Sequence, residues 1–125
     1  MAKTASAKVK KDAQKVPVDL LGPVELFVLT AVMKLGDEAY GMSVFDFIRE
    51  HVPYKRISFG SIYTALERMT WKGYLDGRLG EPEPTRGGRA RKYYRTTGLG
   101  EAVLKSTTES FRAIAEAPPG LCVLS

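Results

Sequence analysis

The segment from residue 80 to residue 89 constrains the fold more than any other part of the sequence. It holds two prolines and three glycines, and it separates two short runs, 74–79 and 91–96, that alternate in polarity and contain β-formers. Proline has no amide hydrogen to donate to a sheet, so the segment itself cannot continue a strand. The pattern predicts a β-hairpin with a long tip.

Two helices are predicted in the first half of the chain. Pro23 suits the first turn of a helix, and the following run 24–35 is apolar nearly all round, which is typical of a largely buried helix. Gly36 ends it. The second helix opens at Tyr40-Gly41 and ends before Pro53, because proline disfavours helical geometry at the preceding residue.

A third helix is predicted over residues 59–73. Ser58 is a suitable N-cap, and Gly73 is a suitable stop at the other end. Its apolar positions recur at i, i+4 and i+7, which gives one buried stripe. The stripe consists of Ile62, Leu66 and Met69.

A last helix is expected to follow the hairpin, from the cap Thr97 to about Ala115. The predicted fold class is therefore mainly α with a small β-hairpin, in the order of a winged helix-turn-helix, whose third helix enters the major groove of DNA. We expect a disordered basic arm (1–16), a winged-helix domain (17–97), a C-terminal dimerisation helix (98–117) and a tail (118–125).

The positive charge of the chain is concentrated in two places. Residues 1–16 carry five lysines against one acid, and residues 52–100 carry ten basic residues against four acidic ones, whereas residues 17–51 are acidic. A basic segment inside a folded domain is typical of a protein with a polyanionic partner. A solvated face that happens to be basic remains the alternative.

The outer face of the third helix is small and rich in hydrogen-bonding groups in its N-terminal half. Short hydroxyl side chains at a helix N-terminus can bind phosphate and can also reach base edges. A solvated face without function is the alternative, although lysine and glutamate would be more usual there. The candidate DNA-binding residues on and beside this helix are Ser58, Gly60, Ser61, Tyr63, Thr64, Arg68 and Lys72.

The predicted hairpin tip supplies a second candidate contact. Arg86, Arg89 and Arg91 surround Gly87-Gly88. The glycines allow the backbone to lie close to a ligand, and arginine suits both phosphate and narrow minor grooves. After a helix-turn-helix, such a tip favours contact with DNA beside the major groove.

Two aromatic residues carry separate expectations. Alternation along the second strand predicts that Tyr94 points into the core. Trp71 falls on the outer face of the third helix, where a large indole is unusual, so we expect the hairpin to cover it. Stacking on a ligand or contact with a second copy is the alternative role for Trp71.

Several classes of function are not supported by the sequence. One histidine and one cysteine cannot supply the four ligands of an ordinary structural zinc site, and His51 lacks a nucleophile pattern around it. No glycine-rich phosphate loop and no apolar run of about 20 residues is present. We expect no enzyme activity, metal or cofactor, and the single Cys122 suits a reducing bacterial cytoplasm.

Taken in order, the motifs of this chain resemble those of the PadR family, over roughly residues 20–115. The motifs are Leu21-Gly22, Ala39-Tyr40-Gly41, the run Ser58 to Arg68, Lys72-Gly73-Tyr74-Leu75, Arg86-Gly-Gly-Arg89, and Tyr94 followed by Thr97 and Gly100. The resemblance implies a bacterial transcriptional regulator, often a repressor, that binds a pseudo-palindromic operator as a homodimer. It also implies DNA contacts by Ser61, Tyr63, Thr64 and Arg86 to Arg89. With a single helix after the hairpin, the chain resembles the short subgroup of the family.

The first and last helices carry more apolar surface than one small core should absorb, so we expect them to form the homodimer. The candidate dimer residues are Phe27, Val28, Val32, Leu104, Phe111 and Ile114. The expected function is sequence-specific DNA binding by a repressor that a small-molecule effector releases, with no motif that identifies the effector. The alternative is a winged-helix protein-interaction module that binds no DNA. Thr96 and Trp71 depart from the usual pattern of the family.

Overall fold

The computed structural model describes residues 19–82, 87 and 90–120 of the chain. Its elements are α1 (Pro23–Leu35), α2 (Gly41–His51), α3 (Phe59–Trp71), β1 (Leu75–Leu79), β2 (Lys92–Thr96) and α4 (Gly98–Ala115), with one 3-10 turn (Gly36–Glu38) between α1 and α2. Three helices followed by a two-stranded hairpin form a winged helix-turn-helix, which confirms the predicted fold class. The predicted basic arm, Arg86, Arg89 and Cys122 lie outside the described residues.

Local hydrogen bonds explain where α3 begins and ends. The Ser58 hydroxyl accepts the Ser61 amide hydrogen at 3.1 Å, as predicted for an N-cap. At the other end Gly73 adopts a φ of 88°, and the Tyr74 amide donates to the Met69 carbonyl at 2.8 Å. This is a Schellman motif, which ends the helix two residues earlier than predicted and turns the chain toward β1.

The start of α4 is fixed against the junction between α3 and β1. The Thr97 hydroxyl accepts the Gly100 amide hydrogen at 3.0 Å and donates to the Gly73 carbonyl at 2.6 Å. Gly100 is buried, and a methyl group at this position would overlap the carbonyl oxygen of Tyr74. Glycine is therefore required here by close backbone approach, although glycine weakens the first turn of a helix.

One core joins all the elements. It takes the apolar stripe of α3 together with side chains of α1, α2, the hairpin and α4, including Leu29, Val44, Ile62, Leu66, Met69, Leu75 and Val103. Tyr94 is 3% exposed, as predicted. Val28 and Val32 are 0% and 1% exposed within one chain. Because both side chains are already used by this core, they cannot form the predicted dimer contact.

The hairpin is joined on one side to the connection between α1 and α2. β1 and β2 are antiparallel, with Leu75 opposite Thr96 and Leu79 opposite Lys92. On the other edge of β2, Tyr40 forms a β-bridge with Tyr93, and the Tyr94 amide donates to the Ala39 carbonyl at 2.9 Å. β2 therefore lies between β1 and a one-residue third strand, which fixes the position of β2 beside the connection between α1 and α2.

Trp71 is 86% exposed, so the prediction that the hairpin covers it is wrong. The reason is the direction in which the chain leaves α3. After the Schellman turn, Tyr74 and Leu75 are buried in the core on the side of α3 that carries Met69. The hairpin meets α3 at Glu67, one turn before Trp71, and leaves the indole exposed.

Within the described ranges, no helix has both the length and the apolar character that are needed to cross a membrane.

Candidate nucleic-acid interface

Five of the predicted DNA-binding residues lie together on one side of α3. Their side chains line a shallow depression of about 500 Å³, to which α1 contributes Val24 and Glu25. The five residues are Ser58, Gly60, Ser61, Thr64 and Arg68, and all of them are exposed. The structure therefore assembles hydroxyl groups, a glycine and a guanidinium on one accessible surface, which we call the α3 face.

The small size of the residues on the α3 face is not explained by packing inside the chain. A methyl group at Gly60 would meet only the Ser58 hydroxyl oxygen, at an ordinary contact distance of 3.8 Å. The Ser58 and Ser61 hydroxyls lie 3.1 Å apart at the start of the helix. The fold therefore has space for a larger residue at position 60, and the surface at the helix N-terminus is open to close approach.

Arg68 is held at the edge of the α3 face by an ion pair. Its Nη1 lies 3.4 Å from Glu25 Oε2, and the second oxygen of that carboxylate accepts the Gly22 amide hydrogen at 3.3 Å. The Arg68 side chain is 52% exposed, so the pair adds little stability. Its effect is positional, since the guanidinium is oriented while donors remain for an outside acceptor.

Tyr63 and Lys72 do not belong to the α3 face. The Tyr63 ring stacks on Phe59 on another side of the helix, at 6.3 Å between centroids, and is 48% exposed. Lys72 follows the last residue of α3, about 21 Å from Ser58 along the helix axis at 1.5 Å per residue. Both side chains are accessible, but the structure separates them from the cluster that the sequence grouped with them.

Arg91 directly precedes β2, where the loop of the hairpin joins the strand. Its guanidinium carbon is 4.0 Å from the centre of the Tyr40 ring, and its Nη1 donates to the Tyr93 hydroxyl at 3.4 Å. This cation–π contact fastens the hairpin to the connection between α1 and α2. The role of Arg91 in the described residues is therefore to position the hairpin, whereas Arg86 and Arg89 lie outside them.

Glu67 connects α3 to the hairpin, a link that sequence reasoning missed. Its Oε2 accepts a hydrogen bond of 2.6 Å from the Tyr94 hydroxyl and lies 3.4 Å from Lys92 Nζ. Burial raises the pKa of Tyr94 above its usual value, and the bond to the carboxylate raises it further, so the phenol remains a neutral donor. Helical periodicity puts Glu67 on the side of α3 opposite the apolar stripe, but it does not indicate a partner 27 residues away.

Lys55 and Arg56 are two further residues that the sequence-based prediction of the interface left out. Both are exposed and lie in the connection between α2 and α3, directly before the N-terminus of α3. Both belong to the basic segment 52–100, but the candidate DNA-binding residues predicted from the sequence do not include them. Two cations three and two residues before the N-cap Ser58 were the available signal, because cations near a helix N-terminus suit a phosphate bound there.

The described residues include no group of three His, Cys, Asp or Glu side chains that could hold a metal ion. The residues of the α3 face offer hydrogen bonding by hydroxyls, backbone amides and a guanidinium group. That chemistry suits recognition of phosphates and base edges.

Comparisons with known proteins agree with this geometry. A PadR family transcription regulator from Clostridium difficile R20291 is 25% identical, with a TM-score of 0.63, over 76% of this chain and 93% of that chain. A PadR-like transcription factor from Bacteroides fragilis is 25% identical, with a TM-score of 0.65, over 87% and 93%. A PadR-like transcriptional regulator from Bacillus cereus ATCC 14579 is 27% identical, with a TM-score of 0.58, over 73% and 82%.

No curated protein sequence matches the chain significantly. The structural relatives are transcription regulators rather than enzymes, as the sequence predicted for this chain. The family model "Transcriptional regulator PadR-like family" matches residues 28–106, which is more than half of the chain. The chain belongs to the PadR-like family of transcriptional regulators.

Proposed function

We propose that this regulator is a homodimeric repressor that binds a pseudo-palindromic operator and is released by a small-molecule effector. The observation that carries the proposal is the α3 face, where Ser58, Gly60, Ser61, Thr64 and Arg68 lie together and exposed on one side of α3, all but Arg68 in its N-terminal half. A helix of a winged helix-turn-helix meets DNA with this end in the major groove.

In this proposal α3 and the hairpin tip contact different parts of the DNA. Ser61 and Thr64 contact base edges, while Ser58, Tyr63 and Lys55 contact phosphates beside them. Arg86 and Arg89 reach the flanking backbone or minor groove from the hairpin tip. Glu67 and Tyr94 hold the hairpin at a fixed position relative to α3, so that both contacts are made at once.

The dimer is proposed to form through the second half of α4. Every residue from 108 to 117 is exposed, and this half of the helix carries Phe111 and Ile114, which are 61% and 78% exposed. Phe27 and Leu104 are partly buried against the core and are proposed to add their remaining exposed area to the contact. Apolar side chains on such a helix favour burial against a second copy.

The proposal is tested by sequencing genomic fragments that the purified protein retains. Enrichment of one promoter is expected, with an inverted repeat at its centre. Retention of no specific fragment, together with capture of a defined protein from the same extract, would instead support the protein-interaction module.

A titration of variants then assigns the roles. Replacing Arg86 and Arg89 together by alanine should weaken binding to the operator and to random duplex almost equally. Ser61→Ala or Thr64→Ala should change preference at particular base pairs by about 1–3 kcal/mol if a base contact is lost. Lys105→Ala, on the exposed side of α4, is the matched control and should leave both affinities unchanged.

Two further measurements test the role of residues 1–16 in DNA binding and the formation of the dimer. Each phosphate that the lysines of residues 1–16 neutralise contributes about 0.9 to the slope of log affinity against log salt, so deleting the arm should flatten that slope and leave base preference intact. Phe111→Asp should give a monomer by light scattering and abolish operator binding. A wild-type monomer at micromolar concentration would contradict the dimer.

A further inference from the structure

A second depression lies on the other side of Ser58, where α2 and the connection to α3 meet. Its volume is about 520 Å³, within the usual range of small-molecule sites. Its floor is apolar and includes Ile48, Val52, Ile57 and Ile62, of which Ile48 and Ile62 are 4% and 0% exposed. We call this depression the α2–α3 groove.

The rim of the α2–α3 groove is cationic. Arg49, Lys55 and Arg56 line it, and none of the residues that line it is acidic. Arg49 also pairs with Asp46 at 3.5 Å, but both side chains are more than half exposed, so water and salt screen that pair. The guanidinium of Arg49 lies 5.0 Å from the centre of the Phe45 ring, which orients it along the apolar surface.

An apolar floor with a positive rim selects a particular kind of molecule. The floor excludes a compact hydrated anion, because desolvating it there gives no apolar contact in return. The rim disfavours a cation and gives a neutral apolar compound no electrostatic gain. A guanidinium can take a carboxylate through two parallel hydrogen bonds, while the body of the molecule covers the isoleucines and the valine.

We propose that the α2–α3 groove binds a small organic carboxylate with an apolar body, and that its occupation weakens DNA binding. The second half of this inference rests on the proposed function. Lys55 and Arg56 line the groove and lie three and two residues before Ser58, which lines both the groove and the α3 face. A carboxylate held by these cations removes positive charge from the place where DNA phosphates approach α3.

The coupling is reciprocal. If a carboxylate in the groove lowers the affinity for DNA by a given factor, bound DNA lowers the affinity for the carboxylate by the same factor. Couplings between two sites on one protein usually correspond to roughly 5- to 150-fold changes in affinity. The two sites share Ser58, so their coupling is expected to lie inside that range.

The first experiment tests the groove without DNA. Methyl NMR spectra of the full-length protein are recorded with octanoate below its micelle concentration, with 1-octanol and with acetate. We expect octanoate to shift the signals of Ile48, Val52, Ile57 and Ile62, with much smaller shifts for octanol and none for acetate. Equal shifts with octanol, or shifts confined to α4, would overturn the proposed site.

A matched pair of variants tests the rim. Arg49→Gln should weaken octanoate binding at least several-fold, while Lys105→Gln should leave it unchanged. Thermal unfolding of both variants confirms that they fold. Unchanged octanoate affinity in folded Arg49→Gln would contradict the role of the rim.

The last measurement tests coupling, with fluorescence anisotropy of labelled operator titrated at increasing octanoate. We expect the affinity for DNA to fall roughly 5- to 150-fold at saturation. Groove shifts without any change in DNA affinity would overturn the coupling. Failure of the protein to bind any DNA would overturn the proposed function, and the shifts recorded without DNA would still decide the groove.

Discussion

The Tyr94 hydroxyl donates a hydrogen bond of 2.6 Å to the carboxylate of Glu67, and this bond joins the second strand of the hairpin to the outer side of α3. Tyr94 is buried, whereas the Glu67 side chain is 39% exposed and also meets Lys92. The second strand of the hairpin is thereby fixed to the helix that carries the α3 face.

Tyr94→Phe is expected to lower the free energy of unfolding by about 1.5–3 kcal/mol, because it removes a hydrogen bond to a charged group. Urea unfolding measures the change. Tyr54→Phe is the matched control, since Tyr54 is 79% exposed and should give a change near zero. An equal effect of the two variants would contradict the structural role of this bond.

The same pair has a consequence at alkaline pH. The pKa of Tyr94 is raised in the folded state by burial and by Glu67, whereas in the unfolded chain it is that of an ordinary tyrosine, about 10. The stabilisation is therefore complete below about pH 10 and is lost as the pH rises above that value. Wild type should lose stability between pH 9 and 11 more steeply than Tyr94→Phe, and identical pH profiles would contradict the shift.

Two glycines at the start of α4 should respond oppositely to alanine. A methyl group at Gly98 meets nothing within 4 Å, so Gly98→Ala should stabilise the protein by about 0.4–1 kcal/mol through the unfolded state. A methyl group at Gly100 overlaps the Tyr74 carbonyl oxygen, so Gly100→Ala should destabilise it by about 1–3 kcal/mol or more. Thermal unfolding of the two variants side by side is the measurement, and changes of the same sign would be inconsistent with this junction.

Two threonines should likewise respond oppositely to valine. The buried Thr107 hydroxyl oxygen accepts the Leu21 amide hydrogen at 3.1 Å, so Thr107→Val should cost about 1–3 kcal/mol by leaving that amide unpaired. The Thr96 hydroxyl has no hydrogen-bond partner among the described residues, so Thr96→Val should be neutral or stabilising in denaturant unfolding. A large loss from Thr96→Val would show that its hydroxyl has a partner in solution.

The one tryptophan of the chain provides an optical probe of the outer face of α3. Trp71 is 86% exposed, so its emission should be that of an indole in water and should be quenched efficiently by iodide. Trp71→Phe should change the free energy of unfolding by less than about 0.5 kcal/mol, because the side chain is not packed. Blue-shifted emission that resists iodide, at a concentration where the chain is monomeric, would contradict the exposed position.

The features that the sequence predicted correctly depend on neighbours along the chain. Ser58 and Thr97 cap helices through residues three positions later, Gly73 ends α3 through its own backbone conformation, and Tyr94 follows the two-residue period of a strand. Each of these is decided by local geometry, which residue types and spacing report directly.

The incorrect or missing predictions depend on how elements meet. Apolar character alone could not separate Val28 and Val32, which the core uses, from Phe111, which stays exposed. The exposure of Trp71 follows from the side on which the chain leaves α3. The partner of Glu67 is supplied by a strand that is distant in sequence. These relations are set by tertiary packing, which helical periodicity does not encode.

The bridge between Tyr40 and Tyr93 covers one edge of β2, so among the described residues the outer edge of the hairpin belongs to β1. That edge is only five residues long and includes Asp76, Gly77 and Arg78. Short edges with charged side chains are poor templates for strand addition by another molecule. The protein should therefore resist edge-to-edge aggregation at the concentrations that crystallisation or NMR requires, even though Leu79 on this strand is 70% exposed.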